Sequence, residues 1–237
     1  LVKWVQQGAK KGNPSDAPSP KTFPGENTGW QIGEPDLLVE MGEDYFVEDD
    51  VEDLYVDFKT TFTKEQLPSD RWIKAVEFKG GSTAVHHVIT RPLGGMAPGY
   101  DPVHYGDGFG VLLKAGTDVE WEMHYHKEAG PGTGVWDRTK AGIVFWPEGT
   151  EIDHVINTEP LGAFRFSIPA GAEHYADQAK FTFPEDGLIV ASNPHMHLRG
   201  KMAKYTAFYP DGSEEVLLDV PKYDFNWQIT YTYSEPK

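Results

Sequence analysis

The feature that most limits the fold of this chain is a succession of short segments in which apolar and polar residues alternate. This period of two is typical of half-buried β-strands, because successive side chains of a strand point to opposite faces. Gly, Pro, Asn and Asp separate the segments, and no helical apolar pattern of ten or more residues follows residue 29. The sequence therefore predicts an all-β protein made of antiparallel sandwiches. The predicted strands comprise residues 54–60, 73–78, 84–90, 119–125, 141–146, 164–168, 181–183, 187–192, 204–209, 215–220 and 227–233.

Changes in composition divide the chain into an arm and two domains. Residues 1–29 are rich in Gly, Pro and small polar residues, which predicts a surface arm or a linker from an upstream module. We expect a first β-sandwich over residues 30–149 and a second over residues 150–237, which is short for a complete sandwich. Within the second, Pro210-Asp211-Gly212-Ser213 predicts the turn of a hairpin, since Pro presets φ and Gly permits a positive φ.

The composition limits both partners and metal ligands. The chain has nine histidines and no cysteine, so disulfides and thiolate ligands are excluded and a metal would need His, carboxylate or Met ligands. A formal net charge of −16 argues against nucleic acid or an anionic membrane surface as a partner. No apolar run approaches the roughly 20 residues of a membrane-spanning segment.

Six of the histidines form three close pairs on strand-like segments. Two residues of an HxH pair share one face of a strand, whereas the adjacent His86 and His87 point to opposite faces unless the strand is twisted or bulged. Any one pair is also compatible with ordinary half-buried or surface histidines. Three pairs in a cysteine-free β protein favour a shared metal function. The pairs are His86 with His87, His124 with His126, and His195 with His197.

The remaining histidines and the catalytic motifs add little. His104, His154 and His174 occur singly in loop-like sequence and are expected to be polar surface residues. The chain has no G-x-S-x-G nucleophile motif, no phosphate-binding glycine loop and no G-x-G-x-x-G fingerprint. A Ser/His/Asp hydrolase and a nucleotide-binding function therefore have no support in the sequence.

Three motifs follow one another along the chain: Val85-His86-His87-Val88-Ile89, Glu122-Met123-His124-Tyr125, and His195-Met196-His197-Leu198-Arg199-Gly200-Lys201. Their order and separations resemble those of the copper type II ascorbate-dependent monooxygenases, whose members include peptidylglycine α-hydroxylating monooxygenase. Residues 208–212 and 223–228 resemble the bacterial branch, in which the module often follows a c-type cytochrome. Residues 4–9 are similar to the end of such a cytochrome. The resemblance covers roughly residues 30–233.

The resemblance implies two jelly-roll-like β-sandwich domains, each with one copper, facing one another across a solvent-filled gap. It assigns His86, His87 and His124 to a first copper that stores an electron from ascorbate or another donor. It assigns His195 and His197, with a later methionine, to a second copper, where O2 is activated to hydroxylate a C–H bond of a small-molecule or peptide substrate. These two histidines would be the catalytic residues, and the location would be periplasmic or secreted.

The chain departs from the family at the methionine ligand. No methionine follows Met202, which lies too close to the HxH motif to match the family position. Either the chain stops before the last strands of the second domain, which we expect, or the second copper has two protein ligands plus another group. His126 has no counterpart in the family. The alternatives are a copper-binding or electron-transfer module without hydroxylase activity, and a structural or carbohydrate-binding sandwich.

Two further expectations concern the surroundings of the ligands. Ligating imidazoles commonly donate their second N–H to a carboxylate or carbonyl, and Glu122 is one candidate partner. Because protons compete with metal for imidazole, metal affinity should fall as the pH drops through about 6.5.

Overall fold

The computed structural model describes residues 2–19, 29–163 and 165–237. Within these ranges the chain consists of β-strands joined by turns and loops, with a short helix α1 (Val2–Gln6) and a 3-10 helix (Pro14–Asp16). The all-β prediction is confirmed. The strands are β1 (Leu37–Glu40), β2 (Tyr45–Val47), β3 (Asp53–Thr61), β4 (Arg71–Lys79), β5 (Val85–Arg91), β6 (Gly94–Met96), β7 (Val103–His104), β8 (Phe109–Leu113), β9 (Asp118–His126), β10 (Val135–Asp137), β11 (Lys140–Phe145), β12 (His154–Val155), β13 (Ala191–Ser192), β14 (Ala203–Phe208), β15 (Glu214–Val220) and β16 (Tyr231–Thr232).

The N-terminal arm lies on the surface over the part that the structure describes. All residues from 2 to 19 are exposed, including those of helix α1 and the 3-10 helix. Leu1 and residues 20–28 of the predicted arm lie outside the described residues.

Two sheets share one hydrophobic core in the first part of the chain. The larger has the strand order β1-β11-β4-β8-β12 with β7 beside β4, and the smaller has the order β3-β9-β5-β6. Their pairings are antiparallel except that β12 runs parallel to β8. Ile73 and Ile143 of the larger sheet and Val88 and Trp121 of the smaller belong to a single buried cluster. The burial of these side chains is the main favourable contribution to the stability of the fold.

Strand β9 shows how the smaller sheet presents polar residues outward. Val119, Trp121, Met123 and Tyr125 are buried in the shared core, as the period-two pattern predicts. The residues between them therefore lie on the outer face of the sheet, away from this core. The outward residues are Asp118, Glu120, Glu122, His124 and His126.

The later part of the chain has much less regular structure than the sequence predicts. Strands β14 and β15 form the expected hairpin, and its turn is closed by the bond from Tyr209 N to Ser213 O at 2.9 Å. The predicted strands at 165–168 and 181–183 are wrong, because Phe166 and Phe183 are exposed and no described strand pairs with these segments. Phe164 lies outside the described residues. The predictions for 187–192 and 227–233 hold only at β13 and β16, which pair with each other.

The division at residues 149 and 150 stays a prediction, as does the jelly-roll connectivity. Strand β12 follows that boundary, yet it adds to the larger sheet of the first part. Across the described ranges, no helix has both the length and the apolar character that crossing a membrane requires.

Candidate metal centre

A β-bulge brings His86 and His87 to the same side of strand β5. The pairing of β5 with β9 shifts register between Val85 and His87, so that His86 is the extra residue. A bulge of this kind inserts one unpaired residue and bends the strand, which cancels the alternation between faces. The sequence analysis expected a bulge if both histidines were to bind one ion, and strand β5 has such a bulge.

Strand pairing places the third imidazole beside this bulge. His124 lies directly opposite His87 in the β5–β9 register. The Nδ1 atom of His87 is 3.3 Å from Nδ1 of His86 and 3.1 Å from Nδ1 of His124. All three side chains are buried, and one nitrogen of each lies within 4.8 Å of the others.

These distances fit a bound cation. Two nitrogens at about 2.0–2.1 Å from one metal ion in tetrahedral geometry lie about 3.3 Å apart, close to both Nδ1 separations. Without a cation, His87 Nδ1 can satisfy only one of its two neighbours with a single proton. The buried group of His86, His87 and His124 could therefore hold a metal ion.

A carboxylate orients the third ligand. His124 Nε2 lies 2.6 Å from Asp53 Oδ1, at the start of strand β3. An N–H donated to Asp53 places the ring proton on Nε2 and leaves the Nδ1 lone pair directed at the other two imidazoles. The sequence offered Glu122 for this role, but Glu122 is exposed and Asp53 is the residue that makes the contact.

The protonation of the buried histidines is shifted towards the neutral form. Burial, followed by the neighbouring histidines, lowers the pKa of His86 to about 4. Burial and the proximity of His195 lower the pKa of His87 to about 2. Burial also lowers the pKa of His124, although its hydrogen bond to Asp53 opposes this. These shifts favour proton competition at this group at a lower pH than free imidazole would show, and the pH dependence of metal affinity stays a prediction.

His195 and His197 lie in a loop after strand β13 rather than in a strand. Both residues are exposed, and their ring centroids are 5.3 Å apart. The His195 ring lies 4.9 Å from the buried His87 ring, and the His197 ring lies 6.1 Å from that of His124. The HxH pair is therefore in contact with the three-histidine group, and the solvent-filled gap that the resemblance implies is not present between these side chains.

Tyr55 connects the two histidine groups and was missed by the sequence analysis. Its ring stacks on His124 with centroids 4.1 Å apart and planes 5° from parallel, and it stacks on His197 at 5.6 Å and 18°. Its hydroxyl is 3.3 Å from a ring nitrogen of His197. Burial, with smaller contributions from Asp53 and Glu122, raises the pKa of Tyr55 to about 12, so the hydroxyl keeps its proton.

His126 lies beside the buried group without belonging to it. Its Nδ1 is 3.5 Å from the same Asp53 oxygen that contacts His124, and its side chain is partly exposed. It also lines a surface pocket of about 500 Å³ together with Glu52 and Lys127. His126 is thus placed between solvent and the carboxylate that orients His124.

Among the described residues, no third His, Asp or Glu forms a metal-binding group with the HxH pair. In that part of the chain, the one group of three or more His, Asp and Glu side chains with metal-binding geometry is His86, His87 and His124. Met202 is 56% exposed. His104, His154 and His174 are exposed, as predicted for surface residues.

The fold and the site together define an all-β protein with a buried three-histidine group that could hold a metal ion. A scan against models of protein families and a search of curated proteins both give no match.

Proposed function

We propose that this chain is a copper-dependent monooxygenase module that hydroxylates a substrate C–H bond with O2 and an external reductant such as ascorbate. His86, His87 and His124 would hold one copper, and His195 and His197 would hold a second. When bound, copper would supply one-electron redox chemistry and the activation of O2. The convergence of three buried Nδ1 atoms beside an exposed HxH pair is the observation that carries the proposal.

The buried group has the properties of an electron-storing site. Its three imidazoles are already fixed in place by the bulge, by strand pairing and by Asp53. Because the three side chains are buried, a substrate has little room to bind there, which supports electron storage rather than substrate binding.

The HxH pair has the properties of a reactive site. Two exposed imidazoles leave coordination positions open to solvent, which is the arrangement that metal sites with catalytic roles retain. The contact between His195 and His87 keeps the two groups adjacent, so an electron would not have to cross bulk water.

Copper is the metal that the ligands and the motif resemblance favour together. Imidazole donors without thiolate suit copper, zinc, iron or nickel, and among divalent ions copper binds nitrogen ligands most strongly. The order and spacing of the three motifs then point to copper rather than zinc. We extend the same proposal to a small-molecule or peptide substrate, a c-type cytochrome module in the same polypeptide and a periplasmic or secreted location.

A second candidate is a copper-binding or electron-transfer module without hydroxylase activity. The exposed position of Met202, and the absence of a third His, Asp or Glu grouped with the HxH pair among the described residues, favour this alternative.

Substrate-dependent oxygen consumption separates the two candidates. The copper-loaded chain would be incubated with ascorbate and a panel of peptide and small-molecule substrates, and O2 uptake and hydroxylated product would be measured together. The monooxygenase proposal expects matched uptake and product that are lost in a His195→Ala/His197→Ala variant. Redox cycling of the copper without product from any substrate would instead support the second candidate.

A further inference from the structure

Phe225 packs against the buried histidine group at His86. Its ring stacks on His86 with centroids 4.0 Å apart and planes 9° from parallel. It also meets the rings of His124 and His126 at 6.2 Å and 5.8 Å, and it is only 8% exposed. A side chain from the later part of the chain therefore packs directly on a candidate metal ligand.

The segment that carries Phe225 also holds the HxH loop. The Tyr223 hydroxyl accepts a hydrogen bond from Met196 N at 3.1 Å and also contacts Met196 O. Gln228 Nε2 donates to the same carbonyl at 3.3 Å. Because Met196 lies between His195 and His197, the 223–228 segment fixes the backbone of that pair.

The same segment is attached to the first part of the chain. Gln228 N donates to Pro98 O at 2.9 Å. Gly99, with φ +90°, lies so close to Trp227 that an added Cβ would be 2.9 Å from Trp227 Cε3. The segment thus contacts the HxH loop, the surface of the first part and the buried histidines at once.

We propose that Phe225 is a positioning residue that fixes the plane of His86 and closes the buried metal position to solvent. Through the segment that carries it, Phe225 also holds the HxH pair next to that position. This inference rests on the proposed metal-binding role of the three-histidine group. Stacking at 4.0 Å leaves no room for water against that face of His86. Loss of the ring would free the imidazole to rotate and would let solvent ligands reach the metal.

The test uses the full chain loaded with cobalt(II), whose visible absorption reports coordination number. We compare the wild type with Phe225→Ala, Phe225→Leu and Phe225→Tyr. The matched control is Phe208→Ala, the same change at a residue that is 63% exposed in strand β14. Circular dichroism verifies the fold of each variant. Transfer of cobalt to a chelator gives the rate of metal loss.

Phe225→Ala and Phe225→Leu should lose cobalt about 10- to 100-fold faster, the range expected when a group that orients a ligand is removed. Their visible bands should weaken as water enters the coordination sphere. Phe225→Tyr and Phe208→Ala should behave like the wild type. If Phe225→Ala does not fold, Phe225→Leu decides the question, because it keeps apolar volume without a planar ring.

Equal rates and spectra for Phe225→Leu, Phe208→Ala and the wild type would overturn the positioning role while leaving the proposed function intact. A wild-type chain that takes up no metal would overturn both. A cobalt effect in a chain that never hydroxylates would keep the positioning role and remove only the monooxygenase proposal.

Discussion

Asp53 Oδ1 lies 2.6 Å from Nε2 of His124, and this contact decides which nitrogen of His124 faces the metal position. Desolvation raises the pKa of Asp53, but the hydrogen bond from His124, with smaller contributions from His126, outweighs it, so the pKa lies below its ordinary value. The carboxylate is therefore ionised at neutral pH and accepts a hydrogen bond from His124 Nε2–H.

Replacing this carboxylate should weaken the buried metal site. Asp53→Ala removes the acceptor for His124 Nε2–H, and the expected loss of metal affinity is about 10- to 100-fold. Competition with a chromophoric chelator measures the change. Asp57→Ala, at an exposed position on the same face of β3, is the control and should match the wild type. Equal affinities for the two variants would argue against the orienting role of Asp53.

The stacking of Tyr55 should contribute to metal affinity through its ring rather than its hydroxyl. Aromatic stacking contributes about 0.5–1.5 kcal/mol per pair, so Tyr55→Ala should reduce affinity at the buried group about 2- to 10-fold. Tyr55→Phe keeps the ring on His124 and should stay close to the wild type in the same chelator titration. A larger loss for Tyr55→Phe than for Tyr55→Ala would contradict this assignment.

A methyl group at Gly99 should disturb the docking of the 223–228 segment. The added Cβ of Gly99→Ala would lie 2.9 Å from Trp227. This clash adds to the cost of about 1–2 kcal/mol for a non-glycine residue at positive φ. Gly116→Ala has φ +74° with nothing within 4 Å of the added Cβ, so it isolates the backbone cost. Thermal unfolding should show a greater loss for Gly99→Ala. Histidine NMR signals of His195 and His197 should shift only in that variant.

The buried histidines should make the metal-free protein sensitive to acid. The folded-state pKa of His86 is about 4, below the unfolded value of about 6.5, so the unfolded chain binds more protons between these pH values. The stability contributed by the neutral ring is complete above pH 6.5 and is lost as the pH falls towards 4. Denaturant unfolding at several pH values should show that the free energy of unfolding falls less steeply with decreasing pH in His86→Phe than in the wild type. His104→Phe, at an exposed site, should follow the wild type.

The sequence predicted strands correctly where they pack against the hydrophobic core. The alternation at residues 119–125 predicted a half-buried strand, and β9 confirms it with Val119, Trp121 and Met123 in the core. The same alternation around Phe166 and Phe183 predicted strands that the structure lacks, because a period of two shows an amphipathic segment but not whether a partner strand exists.

The sequence predicted site residues that are neighbours along one strand. It did not predict the non-histidine residues that reach the site from other strands or segments. His86, His87 and the need for a bulge could be read from one segment. Asp53 and Tyr55 reach His124 only through the register of β3 with β9, which joins positions about 70 residues apart in sequence. Phe225 likewise reaches His86 through tertiary packing that no local pattern encodes.

Copper stoichiometry in ligand variants shows whether the two histidine groups bind copper. After equilibrium dialysis and metal analysis, the wild type should retain about two copper ions per chain, since each histidine group supplies nitrogen ligands. The His195→Ala/His197→Ala variant should lose the copper of the HxH pair. The His86→Ala/His87→Ala/His124→Ala variant should lose the copper of the buried group. An unchanged copper content in the triple variant, with its fold verified by circular dichroism, would show that His86, His87 and His124 do not bind copper.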